Sequence, residues 1–137
     1  QVEIYGTEIS SDTKISERLN LGLSYVYTRA RNTSEKRKSD LIEDVPEHQA
    51  IAKISYLIPG IETTLNVNGS LKIDNVIDDR DETLEDSFVI DVSLLKTFTS
   101  GLTLGGYVSN LLDEDYYEGN GMASNGINFK VLARYEF

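Results

Sequence analysis

The feature that most limits what this chain can fold into is a hydrophobic period of two, cleanest at its end. Phe129, Val131, Ala133, Tyr135 and Phe137 occupy one set of alternate positions, while Lys130, Arg134 and Glu136 occupy the other with Leu132. Side chains in a strand point alternately to opposite faces, so this pattern specifies a strand with one apolar and one wet side. The same alternation recurs upstream, and helical spacing is nearly absent. It runs through Leu19, Leu21, Leu23, Tyr25 and Tyr27, then through Ala52, Ile54, Tyr56 and Ile58. It returns in Ile61 to Ile73, in Phe88, Ile90, Val92, Leu94 and Phe98, and in Leu102, Leu104 and Val108. A weaker strand spans about Val2 to Ile9, so seven strands are expected in an all-β chain.

The connections between these strands alternate in length. Short ones fall near Asp12 to Glu17, at Pro59-Gly60 and at Ser100-Gly101, where Pro and Gly supply turn geometry. Long polar ones run from about Arg31 to Glu47, Asn75 to Ser87 and Asp113 to Gly126. Both prolines, Pro46 and Pro59, sit in connections, as strands paired on both sides require. An up-and-down membrane barrel has this form, with tight turns on the periplasmic side and long loops outside. The last strand would then run inward and place Phe137 at the periplasmic face.

Composition is consistent with that expectation and excludes several others. Apolar residues make up 39% of the 137 positions, and no run approaches the roughly 20 that a membrane helix needs. A barrel strand shows lipid only every second residue, so weak overall hydropathy is no argument against it. Without cysteine there is no disulfide framework and no thiolate metal site. A net charge of -10 argues against nucleic acid, whose phosphates need clustered Lys and Arg. The acids concentrate in Asp74, Asp78, Asp79, Asp81, Glu82, Glu85 and Asp86, and again in Asp113, Glu114, Asp115 and Glu118. They are expected to be solvated loops.

A lipid-facing side should carry aromatic belts at its two ends. Tyr25 and Tyr27 lie toward the outer end of their strand, and Tyr56, Phe98, Tyr135 and Phe137 toward the inner ends of theirs. The alternate faces, rich in Asn, Ser, Thr, Lys, Glu and Arg, are too polar for a small sandwich core and suit a wet lumen. Lys96 falls on the apolar side. At mid-depth it would cost about 2–4 kcal/mol, but near the Ser100-Gly101 turn it can snorkel to the headgroups.

Several runs resemble TonB-dependent outer-membrane receptors. Glu3-Ile4-Tyr5-Gly6-Thr7-Glu8-Ile9, with the segment from Leu19 to Asn32, is similar to a barrel hairpin of that family. Asp44-Val45-Pro46-Glu47-His48-Gln49-Ala50 resembles its Asp-x-Pro-x-His lead into a later strand. Val108-Ser109-Asn110-Leu111-Leu112-Asp113-Glu114-Asp115-Tyr116 resembles its Asn-Leu-Phe-Asp element, and Asn128 to Phe137 its closing strand. The family often carries Pro-Gly-Arg before that strand; here the stretch reads Ser124-Asn125-Gly126-Ile127. The order matches the last third or so of a family barrel, with no counterpart to the family's plug domain or TonB-contacting box. Residues 1–137 are accordingly expected to form one barrel segment without a plug domain.

The resemblance implies uptake of a scarce nutrient, such as a siderophore-iron complex or cobalamin, across a bacterial outer membrane. Ligand contacts would come from the outer loops and upper lumen wall, which selects Arg29, Arg31, Glu47, Tyr116 and Tyr117. Tyr135 and Phe137 would form the assembly-machinery signal. The expected partners are the lipid bilayer and that machinery, TonB if a plug region exists elsewhere, and another chain if one completes the barrel. The alternative is a small independent or multi-chain outer-membrane barrel with a structural, docking or pore role; a soluble β-sheet binding module ranks third. No enzyme, cofactor or metal is expected. His48 stands alone at a strand start, and the acids around Asp74 to Asp81 lack the glycine and terminal Glu of an EF-hand loop. Asn110 and Asp113 are expected to satisfy backbone donors where the chain leaves the sheet, and Gly119, Gly121 and Gly126 to loosen the following loop.

Overall fold

The structure is a computed structural model that describes residues 1–35, 39–42, 45–78, 83–118 and 122–137, with the side chains of 77, 78, 83, 84 and 118 excepted. Among the described residues there is no helix, hence none long and apolar enough to cross a membrane. The strands are β1 (Val2–Lys14), β2 (Leu19–Asn32), β3 (His48–Ile58), β4 (Thr63–Asp78), β5 (Thr83–Thr97), β6 (Leu102–Ser109), β7 (Tyr117–Glu118), β8 (Met122–Ala123) and β9 (Asn128–Tyr135). Seven form a single antiparallel sheet in the order β1-β2-β3-β4-β5-β6-β9, each paired with its neighbours in sequence. The β7 and β8 pair makes a separate small hairpin within the connection from β6 to β9. The sheet is not closed: β1 and β9 are its two free edges.

Turn chemistry sets the three tight hairpins at one end. Pro59 fixes φ ahead of Gly60, which takes φ 85°, the left-handed value that follows proline in a type II turn. In the β5–β6 hairpin the Gly101 N–H donates to the Phe98 carbonyl at 3.0 Å, and Gly101 also sits at φ 85°. A Cβ on Gly101 would lie 2.3 Å from the Glu136 carbonyl oxygen, so glycine is needed for conformation and for space. The Glu136 N–H donates to the Gly101 carbonyl at 3.1 Å, which ties the end of the chain to this turn.

The sequence pattern needs three corrections. β1 continues to Lys14 rather than ending near Ile9, because Ser10 to Lys14 pair residue for residue with Asn20 to Ser24. The first tight turn is therefore centred on Ile15 to Arg18. β4 and β5 extend through Asp78 and from Thr83, with register shifts between Lys72 and Asn75 and between Val76 and Asp78. Most of the expected loop from Asn75 to Ser87 is thus a hairpin projecting past the sheet. Of the acids assigned to it, Asp79, Asp81 and Glu82 lie outside the described residues, as do Gly119 and Gly121 of the later loop and Asp44 of the third-strand lead.

There is almost no core. Val76 is the one buried hydrophobic side chain among the described residues. The accessible surface is 9550 Å² for 15.3 kDa, whereas a compact monomer of that mass exposes about 7100 Å². The excess belongs to a sheet on which, among the described residues, no second layer packs on either face.

Candidate functional site

Register assigns every side chain in the sheet to one of two faces, since residues directly opposite on neighbouring strands share a side. One face carries successive apolar rungs. Toward the long connections, Tyr27, His48 and Ile73 form one rung, with Arg29 and Arg31 beyond it on β2; below it lie Tyr25, Ala50, Leu71 and Phe88, then Leu23, Ala52, Gly69 and Ile90. The next is Leu21, Ile54, Val67, Val92, Val108 and Phe129, followed by Leu19, Tyr56, Leu65, Leu94, Gly106 and Val131. Ile9, Leu23, Phe88, Leu94, Leu104, Phe129 and Val131 on this face are all exposed.

The six aromatics singled out from sequence lie at the two ends of this face. Tyr25 and Tyr27 stand at the long-loop end, and Tyr56, Phe98, Tyr135 and Phe137 toward the tight turns. Phe88 and Phe98 are ten residues apart, about 33 Å along an extended strand. The aromatic end also includes His48, which sequence reading left as an isolated residue. The Tyr25 hydroxyl and His48 Nδ1 are hydrogen-bonded at 2.7 Å, and the His48 ring lies 5.3 Å from that of Tyr27. The period of two already aligned His48 with Ala50, Ala52 and Ile54. Lys96 does lie on the apolar face, with its Nζ 5.0 Å from the Phe98 ring centroid at the tight-turn end.

The other face is polar through its middle. One rung reads Lys14, Asn20, Ser55, Asn66, Ser93, Tyr107 and Lys130, and its neighbour contains Asp12, Gly22, Lys53, Asn68 and Asp91. Asn66 Nδ2 donates to Ser93 Oγ at 3.2 Å, while Asn68 Oδ1 is buried without a hydrogen-bond partner among the described residues. These rungs border a depression of about 710 Å³ that includes Asp12, Lys14, Lys53 and Asn68. Leu132, the apolar exception on this face of β9, has a local partner. It and Leu95 flank Gly105, where a Cβ would fall 2.7 Å from Leu95 Cδ2 and 3.4 Å from Leu132 Cβ.

Of the five ligand-contact residues selected from sequence, Arg29, Arg31 and Glu47 line one cleft of about 370 Å³ at the long-loop end, together with Asp40, Asp74 and Val76. Tyr116 and Tyr117 are elsewhere, at the start of the small hairpin. The Tyr117 N–H donates to Glu85 Oε2 at 2.9 Å, and the Tyr116 carbonyl accepts from the Ser124 N–H at 2.7 Å. Arg29 and Arg31 alternate with Tyr25 and Tyr27, so they share the apolar face and not the polar one. Tyr5 stands opposite Arg29 on β1.

The exit from β6 is built around Asn110, only 3% exposed. Its Nδ2 donates to the Glu114 carbonyl at 2.8 Å, its Oδ1 accepts from the Glu114 N–H at 2.9 Å, and its own N–H donates to Asp91 Oδ1 at 2.9 Å. Asp113 Oδ1 accepts the Ile127 N–H at 2.8 Å just ahead of β9. Both residues adopt positive φ, which Asn and Asp tolerate best among side-chain-bearing residues. Their role is architectural. No group of three or more His, Asp or Glu suited to a metal ion occurs among the described residues. Compared with known proteins, the chain matches no family model and shows no significant match to a curated protein.

Proposed function

We propose that the chain is a transmembrane barrel segment of a bacterial outer membrane, serving uptake of a scarce nutrient in the manner of a TonB-dependent receptor. One observation carries this reading: a seven-stranded sheet that exposes an apolar face and, among the described residues, has no second layer to cover it. In water such a face would be driven to bury itself against a partner layer. In a bilayer, lipid is that layer, and aromatics at both ends with a polar opposite face fit the same arrangement. Substrate would pass on the polar side, past the rungs that hold Asp12, Lys14, Lys53 and Asn68, with no catalytic chemistry involved. The partners in this reading are the bilayer and, at Tyr135 and Phe137, the barrel-assembly machinery; TonB would act only through a plug region supplied elsewhere.

A second reading is favoured by the free edges of β1 and β9. Unpaired backbone groups in hydrocarbon cost several kcal/mol each, so further strands must cap both edges. They belong either to more of the same barrel or to other chains that complete a multi-chain barrel. Expression of the chain, followed by extraction and gel migration before and after heating, separates these alternatives. A detergent requirement with heat-modifiable migration supports a membrane barrel, and a ring of chains favours the multi-chain form. A monodisperse monomer in plain buffer contradicts both.

A further inference from the structure

We propose that the depression on the polar face binds a hydroxylated carboxylate, such as a sugar acid, through Lys14, Lys53, Asn68 and Asp12. The proposal rests on the uptake reading above, in which substrate passes this face, and it names the chemical class of that substrate. Charge distribution is the first support. The chain as a whole carries a net charge of -10. From the row of Lys72 to that of Lys130, however, register places Lys14, Lys53, Lys72 and Lys130 on the polar face against Glu8, Asp12 and Asp91. Asp91 is engaged within the protein, since its Oδ1 accepts the Asn110 N–H at 2.9 Å. On this face an acidic chain offers a small anion a favourable field.

The second support is the lack of partners. Among the described residues, the Lys14 and Lys53 ammonium groups and the Asp12 carboxylate make no hydrogen bond or ion pair. Asn68 Oδ1 is buried without a donor, and Asn68 Nδ2 has no acceptor among the described residues. Three donors and one acceptor therefore border the depression unused.

The third support is layout. Lys14 and Lys53 stand two strands and two residues apart, about 12 Å between Cα atoms by strand spacing. Their flexible four-carbon stems let both ammonium groups close on one carboxylate. Gly22 lies between them on β2. A Cβ there would fall 2.6 Å from Asp12 Oδ1 and 3.5 Å from Lys53 Cβ, so the missing side chain lets the Asp12 carboxylate lie across β2 toward Lys53. That carboxylate repels a bare anion but accepts a hydrogen bond from a hydroxyl. Donors for a carboxylate beside an acceptor for a hydroxyl, in a depression of about 710 Å³, match a molecule that carries both groups.

The test is a saturation-transfer NMR titration of the full chain refolded in detergent, with glucuronate, glucose and acetate as probes. Glucose lacks the carboxylate of glucuronate, and acetate lacks its hydroxyl groups. Glucuronate should bind about tenfold more tightly than either, the effect of one hydrogen bond to a charged group. Lys14→Gln with Lys53→Gln should bring glucuronate to the level of glucose, and Asp12→Asn should bring acetate closer to glucuronate. Heat-modifiable migration of each variant shows that it is still folded. Equal binding of glucuronate and glucose by the unaltered chain overturns the proposal and leaves the membrane reading standing, as does a preference that survives the lysine changes. Glucuronate binding by a chain that is monodisperse in plain buffer keeps the site and overturns the membrane reading.

Discussion

Gly101 and Asn110 show how single residues hold this sheet's ends. A side chain on Gly101 would meet two obstacles, the left-handed φ and the Glu136 carbonyl 2.3 Å from a Cβ. Gly101→Ala should therefore destabilise by about 2 kcal/mol or more, while Gly60→Ala, with the same φ and open space, should cost about 1 kcal/mol. Denaturant unfolding of the detergent-refolded chain measures both, and equal losses would remove the steric part of the argument. Asn110→Ala deletes two hydrogen bonds at a position 3% exposed and strands the Glu114 backbone groups, for an expected loss of about 2–3 kcal/mol. A change below about 0.5 kcal/mol would mean that the turn does not depend on this side chain. Asn110 was legible in advance as a strand-end residue because its side chain competes for backbone groups. The direction of Arg29 and Arg31 was legible too: the parity that set Tyr25 and Tyr27 outward continues through them. The resemblance assigned them to ligand contact from the outer loops and upper lumen wall, and register places them on the apolar face.

At the scale of elements, alternation located β2 to β6 and β9 because each has one apolar face to bury or show to lipid. It failed for the end of β1. Ser10, Ser11, Asp12, Thr13 and Lys14 are polar on both sides, and only pairing with β2 makes them a strand. It failed again beyond Lys72, where register shifts break the period while the ladder continues. The two-residue strands β7 and β8 are too short to carry any period. A direct consequence of the face assignment can be tested on β5. Val92 pairs with Val67 and Val108 midway along the apolar face, and Ser93 pairs with Asn66 and Tyr107 on the polar one. Val92→Arg should cost about 2–4 kcal/mol in a bilayer, and Ser93→Arg less than about 1 kcal/mol. Refolding yields and unfolding free energies in lipid vesicles provide the comparison. If the two substitutions cost the same, the faces are wrongly assigned.

For the molecule as a whole, the motifs implied a barrel, and the structure supplies the up-and-down strand order without the closure. A sequence period specifies the two faces of a sheet but not how many strands complete it, so the seam between β1 and β9 was never legible. What the whole sheet does specify is one apolar side and one polar side, which the proposed function assigns to lipid and to water. The chain lacks cysteine, so single cysteines can be placed in turn from Phe88 to Lys96, spin-labelled, and tested in bilayers with molecular oxygen and a water-soluble nickel chelate. Labels at 90, 92 and 94 should favour oxygen and those at 89, 91 and 93 the chelate, with a period of two. Equal chelate access at odd and even positions would contradict a lipid-facing apolar side.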